Sequence, residues 1–194
     1  MNVAIAKRIT PKMTFEQFLN YDDGTDTLYE LENGELILMS SESDINQKIA
    51  IFLLIYFSQL GISLSRLRMK AEIAVNSRQV GVRIPDLMVY TEELAIVMEG
   101  ATRSLILMDM PPPLLVVEVV SPNQSNRDYR YKRSEYAVRG IAEYWIVDPL
   151  EAKVTVLEWL EGFYEERIYV DSQLIVSSIF PALELTASLV LQPA

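Results

Sequence analysis

The chain contains neither cysteine nor histidine. The first absence excludes disulfide frameworks, thiolate zinc sites and cysteine nucleophiles, and it is compatible with a reducing compartment. The second removes serine-histidine triads, histidine general bases and imidazole-ligated metals. Any chemistry must therefore run on carboxylates, lysine, tyrosine or hydroxyls, and an all-oxygen ligand set suits hard cations such as magnesium (Mg2+) or manganese (Mn2+) rather than zinc or copper. Long apolar runs are missing too: the longest, IAIFLLIYF from Ile49 to Phe57, falls short of the roughly 18 to 20 residues that a membrane span needs. The opening MNVAIAKRIT lacks the charged, apolar and small-residue regions of a secretory leader. The expectation is a soluble, cytoplasmic protein. Positive charge is scarce, with 17 basic against 27 acidic residues and a formal net charge of −10. Phosphate neutralisation supplies most nonspecific affinity for nucleic acid, so such a substrate would have to meet local basic patches.

What is present is 194 residues at 50% hydrophobic content, enough for one domain over residues 1–194 with a buried core. Thr14 opens a short helix, TFEQFLNY, with Gln17 in the capping-box position. In LYELENGELILM, Asn33 and Gly34 form the two-residue turn of a type I′ hairpin, which sets Tyr29 against Leu38, Glu30 against Ile37, Leu31 against Leu36 and Glu32 against Glu35. Glu30 then shares a face with Leu28, Ile37 and Met39, poor company for a carboxylate, whereas Glu32 and Glu35 read as exposed charges at the hairpin tip. Asp44 and Gln47 suit the start of a largely apolar, well-buried helix to about Leu60, ended by Gly61.

Arg66 to Val75 alternates in polarity and predicts one strand with an outer stripe of Arg66, Arg68 and Lys70. After a turn near Asn76 and Ser77, VGVRIPDLMVY predicts another, with Val82, Ile84, Asp86, Met88 and Tyr90 on one face. Thr91 caps a short helix ending near Gly100. LLVVEVV, apolar on both faces, is a central strand with Glu118 in its middle. A helix from Asn126 or Asp128 to Arg139 stops at Gly140, AEYWIVDP is a strand, and KVTVLEWLEGFYEER is a hairpin turning at Glu161 and Gly162. The order predicts an α/β fold (α+β, a mixed sheet flanked by helices).

Asp86 and Glu118 are the misfits. An ionised carboxylate among apolar neighbours costs several kcal/mol unless it is paired or bound to metal. Taken singly, Asp86 could cap a turn after Pro85 and Glu118 could pair with an arginine; taken together on adjacent strands they point to a shared cation. Two stretches are locally basic: the Arg66, Arg68, Lys70 stripe, and the helix carrying Arg127, Arg130, Lys132, Arg133 and Arg139. Each is either an ordinary solvated face or a contact for a nucleic-acid backbone, and the helix is the better candidate because it starts beside Glu118.

Pro85-Asp86 followed by Glu118-Val119-Val120 resembles the PD-(D/E)XK nuclease superfamily. Pro-Asp alone occurs widely. The wider order of YELENGELILMS, IPDLMVY, LLVVEVVSPN, DYRYKRSEY and GIAEYWIVDP, from about Phe15 to Val156, is similar to the restriction-endonuclease-like family known as domain of unknown function 820, or Uma2-like. The resemblance implies a restriction-endonuclease-like core and a metal-dependent endonuclease acting on nucleic acid, DNA foremost. Magnesium would be held by Asp86, Glu118 and the Val119 carbonyl, and a homodimer would suit cleavage of two strands. It also implies roles for Glu30, as a further carboxylate at the metal, and for Lys132, as the lysine that the superfamily carries where this chain has Val120. Tyr129, Lys132 and Tyr136 fall on one helix face, which would turn Lys132 toward the sheet. The bland alternatives are a solvent-facing Glu30 and an exposed Lys132 paired with Asp128 one turn back. Asn46 stands where relatives often carry histidine. With Val120 and the charge of −10, the competing reading is a catalytically inactive module that binds nucleic acid or protein, followed by a purely structural dimer.

Overall fold

The computed structural model describes residues 12–39, 41–76, 80–122 and 127–193; the N-terminal decapeptide, Ser77 and Asn126 lie outside them. Helix α1 (Phe15–Leu19) is held by the expected capping box, with Thr14 N–H donating to Gln17 Oε1 at 2.7 Å and Gln17 N–H to Thr14 Oγ1 at 3.1 Å. Strands β1 (Tyr29–Glu32) and β2 (Glu35–Leu38) pair in the register read from the turn, because Asn33 (φ 50°) and Gly34 (φ 81°) both accept the left-handed backbone.

Helix α2 (Asp44–Gln59) is capped one residue earlier than expected, by Ser43 accepting from the Asn46 N–H. It is also buried on one face only: Ile49, Leu53 and Phe57 are fully enclosed, while Ile45, Ile51 and Ile55 are exposed. A high apolar content therefore overstated its burial.

The two long strands are each broken, and both breaks move the chain from one sheet to the other. A 3-10 turn (Leu64–Arg66) leads into β3 (Leu67–Arg68), Lys70 turns the chain at φ 53°, and β4 (Glu72–Asn76) follows in the other sheet. Likewise β5 (Val80–Arg83) and β6 (Leu87–Val89) belong to different sheets. Pro85 has no N–H to give a ladder, so pairing stops there. Period-two alternation survives both switches because each side of the break remains buried, so the pattern does not reveal them.

Helix α3 (Glu92–Val97) is capped by Thr91 as expected, and β7 (Leu105–Ile106) closes an edge. Strand β8 (Leu115–Val119) runs parallel to β9 (Glu143–Asp148), which pairs with β10 (Lys153–Leu160); β10 in turn pairs, through the turn at Glu161 and Gly162, with β11 (Phe163–Val170). Between β8 and β9 a π-helical turn, Arg127–Lys132, continues as α4 (Arg133–Arg139), and Gly140 at φ 75° ends it. A short α5 (Ala187–Leu191) closes the described chain.

One sheet has the order β2-β1-β5-β4-β7 and the other β11-β10-β9-β8-β6-β3. Along β8, Leu115, Val117 and Val119 pack with α2 and α5, and Val116 and Val120 pack with Tyr136, Tyr144 and β4 on the opposite face. Full burial of a side chain such as Leu53 or Ile73 stabilises by about 1.5–3 kcal/mol. Glu118 shares the face of Val116 and Val120, which aims it at the helix from Arg127 to Arg139.

Candidate active site

Asp86 lies where the chain crosses from β5 to β6. With the ladder interrupted at Pro85, its carboxylate takes over the acceptor role: Oδ2 receives the Val119 N–H of β8 at 2.6 Å. Its other oxygen, Oδ1, receives the Lys70 ammonium at 2.5 Å, and the same ammonium bonds Glu42. Asp86 is thereby tied to the residue that follows Glu118.

Glu118 is 4% exposed. Its Oε1 accepts the Tyr136 hydroxyl at 2.7 Å and its Oε2 the Lys132 ammonium at 2.8 Å. Lys132 is equally buried and also lies 3.0 Å from Asp128 and 3.8 Å from Glu30. It is thus neither exposed nor paired with Asp128 alone. The wider π turn changes the expected face: Asp128, Lys132 and Tyr136 turn inward, while the Tyr129 hydroxyl reaches Asp148 at 3.2 Å.

Lysine is shared among more carboxylates than it can neutralise. Burial pushes Glu118 up to about 8, Lys132 opposes this, and Asp128, Asp86 and Glu30 raise it further. Burial would lower Lys132, yet Glu118, Glu30 and Asp128 more than reverse that and keep its ammonium charged. Asp128 is raised by burial in spite of Lys132. The group therefore keeps a proton at a pH where an exposed glutamate has lost it.

Glu30, fully buried, has the opposite balance. Burial raises its pKa, but Lys132, Arg83 and Arg127, helped by the Ile84 N–H at 3.1 Å, bring it down to about 2. Arg83, also fully buried, holds Glu135 through two bonds of 2.7 and 2.9 Å and reaches Glu30 at 3.2 Å and Glu32 at 2.7 Å. Glu32 is consequently not a free hairpin-tip charge, since Arg83 and Arg127 both bind it; Glu35 is exposed as expected.

The structure gathers Asp86, Glu118, Val119, Lys132 and Glu30 at one end of β8, and Arg127 joins them through bonds of 2.5 Å to Glu30 and 2.9 Å to Glu32. It does not bring the other arginines there. Arg66 donates to the Tyr90 carbonyl at 2.7 Å; Arg68 donates to the Leu64 and Leu67 carbonyls and lies over the Tyr90 ring. Arg133 bonds Glu166 and the Tyr164 carbonyl, whereas Arg130 is exposed. The basic stripe expected along Arg66, Arg68 and Lys70 is divided, with Lys70 turned to Asp86.

Residues that sequence reasoning passed over are Arg83, Glu135 and Glu42, together with Lys70 as the partner of Asp86. Arg83 carried a signal, being a charge in the same apolar run as Asp86; Glu42 carried none. The Asn46 amide donates to the Val119 and Val120 carbonyls at 3.3 and 3.4 Å and to Ser121 Oγ at 3.0 Å, closing the end of β8.

Among the described residues no three carboxylates converge as a metal-binding group. Asp86 and Glu118 nevertheless suit a hard cation. Each of their oxygens accepts a single bond and so keeps lone-pair capacity, and the excess of carboxylate over ammonium around Glu118 favours added positive charge. Among the described residues no helix is long and apolar enough to cross a membrane.

No curated protein matches the chain. A crystal structure of "a putative nuclease belonging to DUF820" from Anabaena variabilis superposes with a TM-score of 0.74 at 17% identity, covering 92% of this chain and 97% of that one. The likeness establishes a mixed α/β fold of the restriction-endonuclease-like kind. The model of the Uma2 family, described as "Putative restriction endonuclease", matches residues 15–188, and the chain therefore belongs to the Uma2 family.

Proposed function

We propose that the chain is a divalent-metal-dependent endonuclease that hydrolyses nucleic-acid phosphodiester bonds, with DNA as its main substrate and magnesium or manganese as its ion. Family membership supports a nuclease-like activity. The observation that carries the site is the Val119 N–H bond to Asp86, which draws the proline-following aspartate to the end of β8 beside Glu118.

Asp86, Glu118 and the Val119 carbonyl would hold the ion. A bound divalent ion supplies charge to a phosphoryl oxygen and lowers the pKa of bound water. Lys132, charged and fixed by Glu118 and Asp128, orients the attacking water or offsets charge on the phosphorane-like transition state, the task left open by Val120. Tyr136 fixes the rotamer of Glu118. Glu30 acts through Lys132, whose ammonium it faces at 3.8 Å. Substrate phosphates would meet the helix through Arg130, and through Arg127 and Arg133 once these exchange their carboxylate partners. In the cytoplasm, two paired copies would offer one centre to each strand of a duplex.

A second reading, a binding module without catalysis, is favoured by the lysine already seated on each carboxylate and by the anchoring of Arg66, Arg68 and Arg133. The two readings separate in a cleavage assay on plasmid and single-stranded DNA with magnesium or manganese, comparing the wild type with Asp86→Asn and Glu118→Gln after circular dichroism shows that all three fold. The enzyme reading expects nicking by the wild type and a loss of at least about a hundredfold in both variants. Activity surviving either substitution would place catalysis elsewhere. An inactive wild type that retains DNA without metal would establish the binding module.

A further inference from the structure

We infer that the Lys70 ammonium holds the place of a metal ion on Asp86, so that Lys70 and a divalent cation bind this carboxylate in competition. The inference rests on Asp86 being a metal ligand. Two carboxylates from separate parts of the chain, Glu42 ahead of α2 and Asp86 ahead of β6, converge on this one ammonium, and their side chains are 19% and 6% exposed. Carboxylates so enclosed need a cation, and the chain supplies one of its own.

Lys70 is also one of five non-glycine residues at positive φ among the described residues. Its φ of 53° is a left-handed conformation that glycine adopts more readily than lysine. A lysine at this turn places its ammonium on Asp86 and Glu42 although the backbone there suits glycine better.

Lys70 also has somewhere to go. Its side chain is 29% exposed and lines a cavity of about 270 Å³ beside Tyr21, Asp22, Tyr29 and Glu72. An ammonium displaced from Asp86 can swing into that space and stay solvated, with the acids of the cavity for company. Lys132 differs: it is 4% exposed and gripped by Glu118 and Asp128, so it stays when an ion arrives. A doubly charged ion gains about twice the Coulomb attraction of an ammonium at equal distance, which lets it take Asp86 from Lys70 once its own dehydration is met.

The test is equilibrium binding of Mn2+ to the full chain by titration calorimetry, on the wild type, Lys70→Met, Lys70→Gln and Asp86→Asn. Glutamine keeps a donor for Asp86 and Glu42 without the charge, so it covers the case in which methionine fails to fold. Competition expects both Lys70 variants to bind Mn2+ about tenfold tighter than the wild type, as when an ion's site is free only a tenth of the time, and Asp86→Asn to lose binding. Equal or weaker binding by the Lys70 variants, with binding still lost in Asp86→Asn, would overturn the competition and leave the metal reading intact. Mn2+ binding that persists in Asp86→Asn would place the ion elsewhere and overturn the inference, and no Mn2+ binding by any form would overturn both.

Discussion

Glu118 on β8 and Glu143 on the adjacent β9 are both buried glutamates in one sheet, and they are solvated in contrasting ways. Glu143, fully buried, collects neutral donors: Trp145 Nε1 at 2.8 Å, the Ser177 hydroxyl at 2.9 and 3.0 Å, and the Ser178 N–H and hydroxyl at 2.7 and 3.1 Å. Such a carboxylate is saturated and joins β9 to the segment before α5. Glu118 has one phenol and a share of one ammonium. Buried charge by itself therefore does not mark a functional site; a carboxylate left short of donors and open to a further cation does.

Exchanging the two residues for glutamine should break this comparison most sharply. Glu118→Gln should lower metal-dependent cleavage by at least about a hundredfold with a smaller effect on stability. Glu143→Gln should leave cleavage per folded molecule intact and lower stability by about 1–3 kcal/mol in urea unfolding, because either orientation of the amide sets an NH2 against the Trp145 or the Ser178 N–H. Equal loss of activity in both would erase the distinction.

Arg83→Met should be the most destabilising single change, about 3–5 kcal/mol, since Glu30, Glu32 and Glu135 would lose a shared buried partner. A midpoint shift in urea worth under about 1 kcal/mol would mean that those carboxylates find other donors.

Metal-free stability against pH should show two limbs. Glu30 has its folded pKa lowered to about 2, so the unfolded chain binds more protons in acid; its contribution is complete above the ordinary glutamate value of 4.5 and is lost as pH falls through about 2. That is about 3 kcal/mol, and Glu30→Gln should flatten this limb. Glu118 has its folded pKa raised to about 8, so the folded chain binds more protons between 4.5 and 8; its contribution is complete at low pH and is lost as pH rises through about 8. Glu118→Gln should flatten this second limb and leave the acid one. Urea unfolding in chelator across pH 2 to 9 reads both. The smallest effect expected is that of Tyr136→Phe, which removes one donor from Glu118 and should move the acid limb of the pH-rate profile upward with less than about a tenfold change in the maximum.

Much of the local structure was legible. The β1-β2 register followed from Asn33-Gly34, the first helix from Thr14 and Gln17, the hairpin of β10 and β11 from its turn, and the central place of β8 from a run apolar on both faces. Asp86 and Glu118 stood out because each interrupts an apolar row. The breaks at Lys70 and Pro85 were not legible as changes of sheet, since periodicity reports which side of a strand is buried and says nothing of which neighbour covers it.

The sequence alone determined the chemistry open to this protein: without cysteine or histidine, a reaction can draw only on carboxylates, lysine and hydroxyls, and the strand acids Glu30, Asp86 and Glu118 needed compensating partners. Only the tertiary structure decided which cation each received. Lys70 reaches Asp86 across 16 residues, Arg83 reaches Glu135 across 52 and Arg127 reaches Glu30 across 97. Pairing energies act through space over a few ångströms, and separation along the chain carries no record of them.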